Sequence, residues 1–183
     1  LPRAAEPGTK NTYSTGETQV IGEVVRGAVK KPLADYLAEV VWGPAGMEAD
    51  GTWWLDSPDG VEIGGSGVSA TLRDYARFGQ FILEDGVARG RRHLPEGWSR
   101  EAGSPKVLRN GARLHYGYLW WPATTEAGRR DGEFSAQGSH GQKVYVNPAA
   151  RVVIVAWGAQ VHPVADVRVD DEVVFDAIVA ALR

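Results

Sequence analysis

Apolar residues recur at helical spacing in several stretches of the chain. Over Thr18 to Val29 the apolar positions are Val20, Ile21, Val24, Val25, Ala28 and Val29, one stripe of an amphipathic helix. A shorter helix, Leu33 to Val41, is predicted after Pro32, a residue suited to a first helical turn. Thr71 is a good N-cap, with Asp74 three residues on near the positive helix end. The helix it opens carries Leu72, Tyr75, Ala76, Gly79, Ile82 and Leu83 on one face and stops before Gly86. "LPEGWSREAG" is expected to hold a short helix. Residues 170–182 predict a final one, striped by Val173, Val174, Ala177, Ile178, Ala181 and Leu182.

Between the helices lie strand-like runs. "TWWL" and "GVEIG", split by "DSPDG", read as a β-hairpin. "YGYLWW" (116–121), "KVYVN" (143–147) and "RVVIVAW" (151–157) follow, and the short "PAA" connection makes the last two an antiparallel pair. Helices first, then strands, then a closing helix: this order predicts an α+β fold, an antiparallel β-sheet flanked by helices, rather than a doubly wound parallel sheet.

Composition narrows the function without naming it. The 183 residues suffice for one domain or one large lobe, and a net charge of −3 offers no basic field to nucleic acid. The one basic run, "RGRRH" at 89–93, reads as a turn. With no cysteine there is no disulfide, thiolate nucleophile or cysteine-type zinc site. No apolar run is long enough to span a membrane, so a soluble protein is expected, either cytoplasmic or periplasmic/secreted. The first residue is Leu1, which predicts a piece of a longer translation product.

Motifs for metal and cofactor chemistry are missing. There is no HExxH, cysteine/histidine cluster, EF-hand loop or Walker A sequence, so neither metal nor cofactor is expected. "GSGVSA" (65–70) matches a GxGxxA fingerprint, but no βαβ pattern follows it, and a tight glycine turn into the Thr71 helix is the better reading. Ser66 and Ser139 both fail GxSxG spacing, and no serine is followed by lysine three residues later. His93, His115 and His162 read as surface or turn residues. His140, in the small-residue segment "SAQGSHGQ", fits either a hairpin turn or a strand whose free amides hold an oxyanion. Trp53, Trp54, Trp120, Trp121 and Tyr118 fit either the core or an acyl pocket.

Taken together, "YSTGETQVIGEVV", "GPAGM" (43–47), "GGSGVS" (64–69), "ATLRDYARFG" (70–79) and "GQKVYVNPAARVVIVAW" (141–157) resemble the serine β-lactamase/penicillin-binding-protein superfamily. The likeness is to its class C-like branch, with family VIII carboxylesterases and 6-aminohexanoate-dimer hydrolases, and it spans nearly the whole chain. It implies a β-lactamase/DD-peptidase-like fold and an active-site serine that is acylated by substrate and released by water. A tyrosine relays the proton between serine, lysine and leaving group. That role falls on Tyr13. Because an ordinary phenol titrates near ~10, it needs a nearby lysine.

Two departures shape the expected substrate. The family's Tyr-x-Asn asparagine is Thr15, which keeps a hydroxyl but loses the amide. The family's Lys-Thr-Gly or His-x-Gly falls on Ala136-Gln137-Gly138, so the cation that grips a β-lactam carboxylate is absent unless His140 takes its place. Gly138 and Ser139 remain candidates for the oxyanion amide. The resemblance therefore implies a hydrolase of small esters or linear amides. The alternatives are a non-catalytic binding or sensor domain on the same scaffold, or a β-lactamase/DD-peptidase proper.

The family's Ser-x-x-Lys helix lies further upstream than twelve residues allow. The 183 residues are thus expected to be the C-terminal portion of one domain, with about 1–115 part of the helical lobe and about 116–183 sheet strands and closing helix. They are expected to be inactive alone, their partner being the missing N-terminal segment or a second copy.

Overall fold

The computed structural model describes residues 3–164 and 170–183. Its centre is a four-stranded antiparallel sheet in the order β5 (Trp121–Pro122), β6 (Phe134–Gly138), β7 (Gln142–Asn147), β8 (Val152–Ala156). The α+β expectation holds, and no helix of the described residues is long and apolar enough to cross a membrane.

Strand alternation assigns each sheet face to a helix. Phe134 and Val146 join Phe81 and Ile82 of α4 (Leu72–Leu83), together with Trp120 and Ala102, in one core cluster. Tyr145, one residue before Val146, points the other way and packs with Phe175 and Val179 of α7 (Asp171–Leu182). Gly79 lets α4 approach the sheet closely: a Cβ there would lie 2.5 Å from Val153 Cγ1.

Helix α1 (Thr15–Val29) starts three residues earlier than its stripe predicts. It is seated through Gly22, where a Cβ would meet the Gly64 backbone at 3.0 Å and Leu33 at 3.3 Å. Val20, Ile21 and Val24 are instead exposed among the described residues. The closing helix departs in the same way: Phe175 and Val179 are buried, while Val173 and Leu182 of the predicted stripe are exposed.

Pro32 is the N-cap of α2 (Leu33–Leu37) rather than a first-turn residue. The helix does not end at Val41. It passes through a π-helical turn (Ala38–Trp42), in which the Gly43 amide reaches back to the Ala38 carbonyl. A short α3 (Gly43–Ala45) follows and stops at left-handed Gly46. Pro44 has no amide to donate, so the regular ladder cannot run unbroken here.

The predicted hairpin is only partly formed. β1 (Thr52–Trp53) pairs with β2 (Val68–Ser69), and the "TWWL"/"GVEIG" pairing is reduced to a bridge between Leu55 and Glu62. Glu62 serves another purpose: its buried carboxylate accepts from the Ala34 amide at the start of α2.

Thr71 caps α4 as its sequence predicts, accepting from the Asp74 amide at 3.1 Å. Asp74 does more than sit near a helix end. Its carboxylate also accepts from the Glu48 amide at 2.7 Å and the Ala49 amide at 3.3 Å. Those bonds, the Glu48 amide foremost, together with the Thr71 hydroxyl hold its pKa below the usual carboxylate range. The "GSGVSA" segment is a tight turn with Gly67 at φ 92° leading into β2.

"RGRRH" lies in and after a hairpin between β3 (Val87–Ala88) and β4 (Arg91–Arg92) that turns on Arg89 and Gly90. α5 (Trp98–Gly103) is the expected short helix, whereas α6 (Glu126–Asp131), capped by Thr125, is too short to show an apolar stripe in the sequence. Of "YGYLWW", only Trp121 is strand.

Candidate active site

Tyr13 lies in an irregular stretch immediately before α1, whose N-cap is the extended Ser14. The side chain is 65% exposed. Its ring rests on two others, with centroids 5.6 Å from Trp121 and 5.8 Å from Tyr116, the latter edge-on. Tyr116 and Trp121 also meet each other, at 4.7 Å. Burial, and secondarily the Tyr13 phenol, push the Tyr116 pKa up.

The sequence did not single out Tyr116. In the predicted strand, 116 and 121 would point to opposite faces. The actual backbone turns instead: the Gly117 amide donates to the Trp120 carbonyl at 2.8 Å, and Leu119 has φ 64°. Gly117 is seated so closely that a Cβ would lie 1.9 Å from the Ala102 carbonyl oxygen. Trp120 then enters the core beside Phe134 and Phe78, while Trp121 faces Tyr13.

The other aromatic candidates are occupied elsewhere. The Trp53 indole donates to the Ile63 and Ser66 carbonyls. Tyr118 stacks on Trp98, with the Lys106 ammonium 3.7 Å over its ring. Trp54 is exposed beside Gly67.

Thr15 is the first residue of α1. The glycine turn sits against it: a Cβ at Gly65 would lie 2.6 Å from the Thr15 methyl, and the Gly64 amide donates to Gln19 Oε1 at 2.6 Å. Glycine here serves close approach to the start of the Tyr13 helix.

The remaining predicted residues lie along β6 and the turn after it. β5 pairs with β6 at only two rungs, Trp121 with Ser135 and Pro122 with Phe134. β7 pairs along all of β6, from Phe134 to Gly138. Beyond Ser135, then, the β5 side of β6 is an open edge among the described residues.

Ladder alternation tells which main-chain groups face it. The Ala123 amide donates to the Glu133 carbonyl. The next hydrogen-bonded rung is therefore Trp121 with Ser135, and Pro122, lacking an amide, falls on the non-bonded rung. Residues 133, 135 and 137 thus direct their N–H and C=O toward β5. For Gln137 no β5 residue is there to receive them. Gly138 points the other way, into the β7 ladder. The Gln137 side chain lies back along the strand, donating to Ser135 Oγ at 3.0 Å.

His140 occupies the turn at φ 62°, followed by Gly141 at φ 91°. Its amide donates to the Pro163 carbonyl, and its own carbonyl accepts from the Gln160 amide. Nδ1–H donates to the Gln160 carbonyl at 2.7 Å, so in the neutral ring Nε2 is left as an acceptor. The imidazole is fastened to the segment after β8. Of the sequence's two readings of this stretch, the hairpin turn describes residues 139–141. Lys143, opposite Gln137 in register, pairs with Asp171 at 3.5 Å.

The structure thus joins Tyr13 to the β6 edge through one side chain, Trp121. The matching family model is that named Beta-lactamase, over residues 1–178. The 6-aminohexanoate-dimer hydrolase of Paenarthrobacter ureafaciens is 30% identical over 163 residues, 82% of this chain and 40% of that protein. The D-aminopeptidase of Brucella ovis is 26% identical over 132 residues, 61% of this chain and 24% of that one.

Among solved structures, a Bacillus anthracis protein assigned as a 6-aminohexanoate-dimer hydrolase superposes with a TM-score of 0.85 at 29% identity, covering 99% of this chain and 46% of its own. A β-lactamase from Mycobacterium bovis shares the fold, with a TM-score of 0.69 at 24% identity, covering 97% of this chain and 66% of its own. The chain spans less than half the length of both 6-aminohexanoate-dimer hydrolase relatives. The family model covers nearly the whole chain and the fold agrees with it: the chain belongs to the β-lactamase family.

Proposed function

We propose that this chain carries two of the three catalytic elements of a serine hydrolase acting on small esters or linear amides, with the nucleophilic serine and its lysine supplied by a segment outside these 183 residues. The observation that carries the reading is Tyr13: an exposed phenol resting on Trp121, whose strand ends one rung short of an open main-chain edge on β6.

The chemistry divides as follows. The serine oxygen attacks the substrate carbonyl, and its proton passes to the lysine–tyrosine pair. Main-chain amides at the β6 edge, from Gln137 and from Ser139 at the turn, donate to the tetrahedral oxyanion. Collapse expels an alkoxide or amine, which takes its proton from Tyr13, leaving an ester on the serine. Water then attacks that ester by the reverse relay and releases the acid.

The residues at the edge favour substrates with no carboxylate next to the scissile bond. Position 136 is alanine, and the His140 ring is engaged by the Gln160 carbonyl. A carboxylate beside this edge would meet no strong cation partner from either residue, which disfavours β-lactams. The name of the Paenarthrobacter relative points to a linear amide, whose carboxylate lies five methylenes from the scissile nitrogen.

The test is hydrolysis of a short-chain p-nitrophenyl ester and of a linear 6-aminohexanoate dimer by the full-length protein. Tyr13→Phe is expected to lower kcat at least a hundredfold. Wild-type turnover that survives unchanged in Tyr13→Phe would remove the role of Tyr13. No turnover by the full-length protein would favour the non-catalytic binding reading.

A further inference from the structure

Tyr13 has a problem that its neighbours solve. It lies outside α1, its ring is mostly in solvent, and Ser14 makes no side-chain cap bond. A proton relay must nonetheless sit within about half an ångström of its productive position. Something beyond the local backbone has to hold it there.

Two rings are in place to do so. Tyr116 meets Tyr13 edge-on, at an interplanar angle of 80°, and Trp121 meets it at 40°. The two planes close on Tyr13 from different directions, so together they restrict both tilt and rotation. They also brace each other at 64°. Edge-to-face aromatic contacts add to simple burial and favour one placement of an exposed ring.

The frame behind them is stiff. Tyr116 and Trp121 flank a turn closed by the Gly117 amide on the Trp120 carbonyl and pinned by the Tyr118 amide on the Ala102 carbonyl at 2.9 Å. Trp120 anchors the same turn in the core against Phe134. Trp121 is further fixed by its rung with Ser135. The support therefore comes from the sheet and α5 rather than from α1 itself.

We propose that Tyr116 is a positioning residue for the reaction: with Trp121 it forms an aromatic clamp that holds the Tyr13 phenol at the β6 edge. The proposal rests on the reading of Tyr13 as proton relay. Its role is carried by the ring, not by the hydroxyl. The raised pKa of Tyr116 agrees, since a half-buried phenol that stays neutral adds no competing charge beside Tyr13.

The experiment compares Tyr116→Phe, Tyr116→Ala and Tyr13→Phe in the full-length protein with the p-nitrophenyl ester, reading kcat and KM separately. Tyr116→Phe keeps the ring and is expected to stay within threefold of wild type in kcat. Tyr116→Ala is expected to lose ten- to a hundredfold in kcat with KM within threefold. A merely structural role would instead lower the fraction of active enzyme, so active-site titration with an acylating inhibitor accompanies each variant.

If Tyr13→Phe is fully active, the relay reading falls, and the clamp with it. If Tyr13→Phe is inactive but Tyr116→Ala turns over at the wild-type rate, the clamp alone is overturned. Should Tyr116→Ala not fold, Trp121→Leu takes its place, with the same loss in kcat expected and wild-type kcat as the overturning result. A large loss in Tyr116→Phe would place the function in the hydroxyl and overturn the clamp as stated.

Discussion

Trp121 stands opposite Ser135 on the outermost rung that β5 and β6 share, and the strand beyond that rung faces nothing from β5. One side chain of the pair supports Tyr13, and the backbone of the other begins the open edge. This gives the first prediction. Gln137 directs its N–H to the open side, so Gln137→Pro removes no β7 ladder bond. The variant is expected to fold, with a Tm within a few degrees of wild type, and to lose ester hydrolysis in the full-length protein at least tenfold. Ala136→Pro removes a ladder bond to β7 and is expected to unfold the sheet. Thermal melts of the two variants check the register. Equal damage in both would refute it.

The second prediction concerns Glu133, which is 3% exposed between the sheet and α7. Tyr145 donates to it at 2.5 Å, and Asn147 bridges it to Asp131, which also pairs with Arg183. Burial pushes its pKa up from 4.5 to about 7. Asp176 and Glu172 of α7 add to the rise, and the Tyr145 bond partly opposes it. Below pH 4.5 the carboxyl is protonated whether the chain is folded or not, and it costs the fold nothing. As pH rises through about 7 the folded protein comes to hold an unfavourable buried charge, and stability falls. Glu133→Gln is expected to raise stability above pH 7.5 by on the order of 1–3 kcal/mol, the advantage vanishing near pH 4.5. Urea titrations at the two pH values read the difference.

The third concerns the glycine turn. Gly65→Ala would place a Cβ 2.6 Å from the Thr15 methyl, at the start of the helix that follows Tyr13. Lower kcat with little loss of Tm is expected in the full-length protein. Thr15→Ser removes that methyl, so the double variant should recover part of the loss. A double-mutant cycle measures the coupling, and strict additivity would show that the two residues act independently.

The fourth is a stability test of the α4–sheet contact. Gly79→Ala gains up to ~1 kcal/mol of helix propensity. It also forces a methyl within 2.5 Å of Val153 Cγ1 and 3.1 Å of Val144 Cγ1, both on stiff β-branched side chains. Overpacking at ~1–3 kcal/mol wins. A net loss of about 1–2 kcal/mol in chemical denaturation is expected.

Much of this was legible in the residues. Thr71 announced its helix because a cap is local chemistry, and "KVYVN" and "RVVIVAW" announced theirs because both faces of those strands are covered. The stripes of α1 and α7 misled because periodicity marks an apolar face without saying what covers it; Gly22 and Phe175, not Val20 or Val173, make the contacts here. "YGYLWW" looked like a strand, but Gly117 on the Ala102 carbonyl and the left-handed Leu119 are tertiary facts. For the same reason the sequence singles out Tyr13 but not Tyr116, whose ring meets it only through the fold.

The open edge of β6 offers main-chain groups, and those are the same whatever side chain is attached. Any residue but proline at 137 therefore leaves the N–H and C=O of the open side in place, whereas Ala136 packs on the core and a Cβ at Gly138 would lie 2.9 Å from the Gln142 Cβ. The glutamine at 137 is upholstery on a frame that the backbone alone sets.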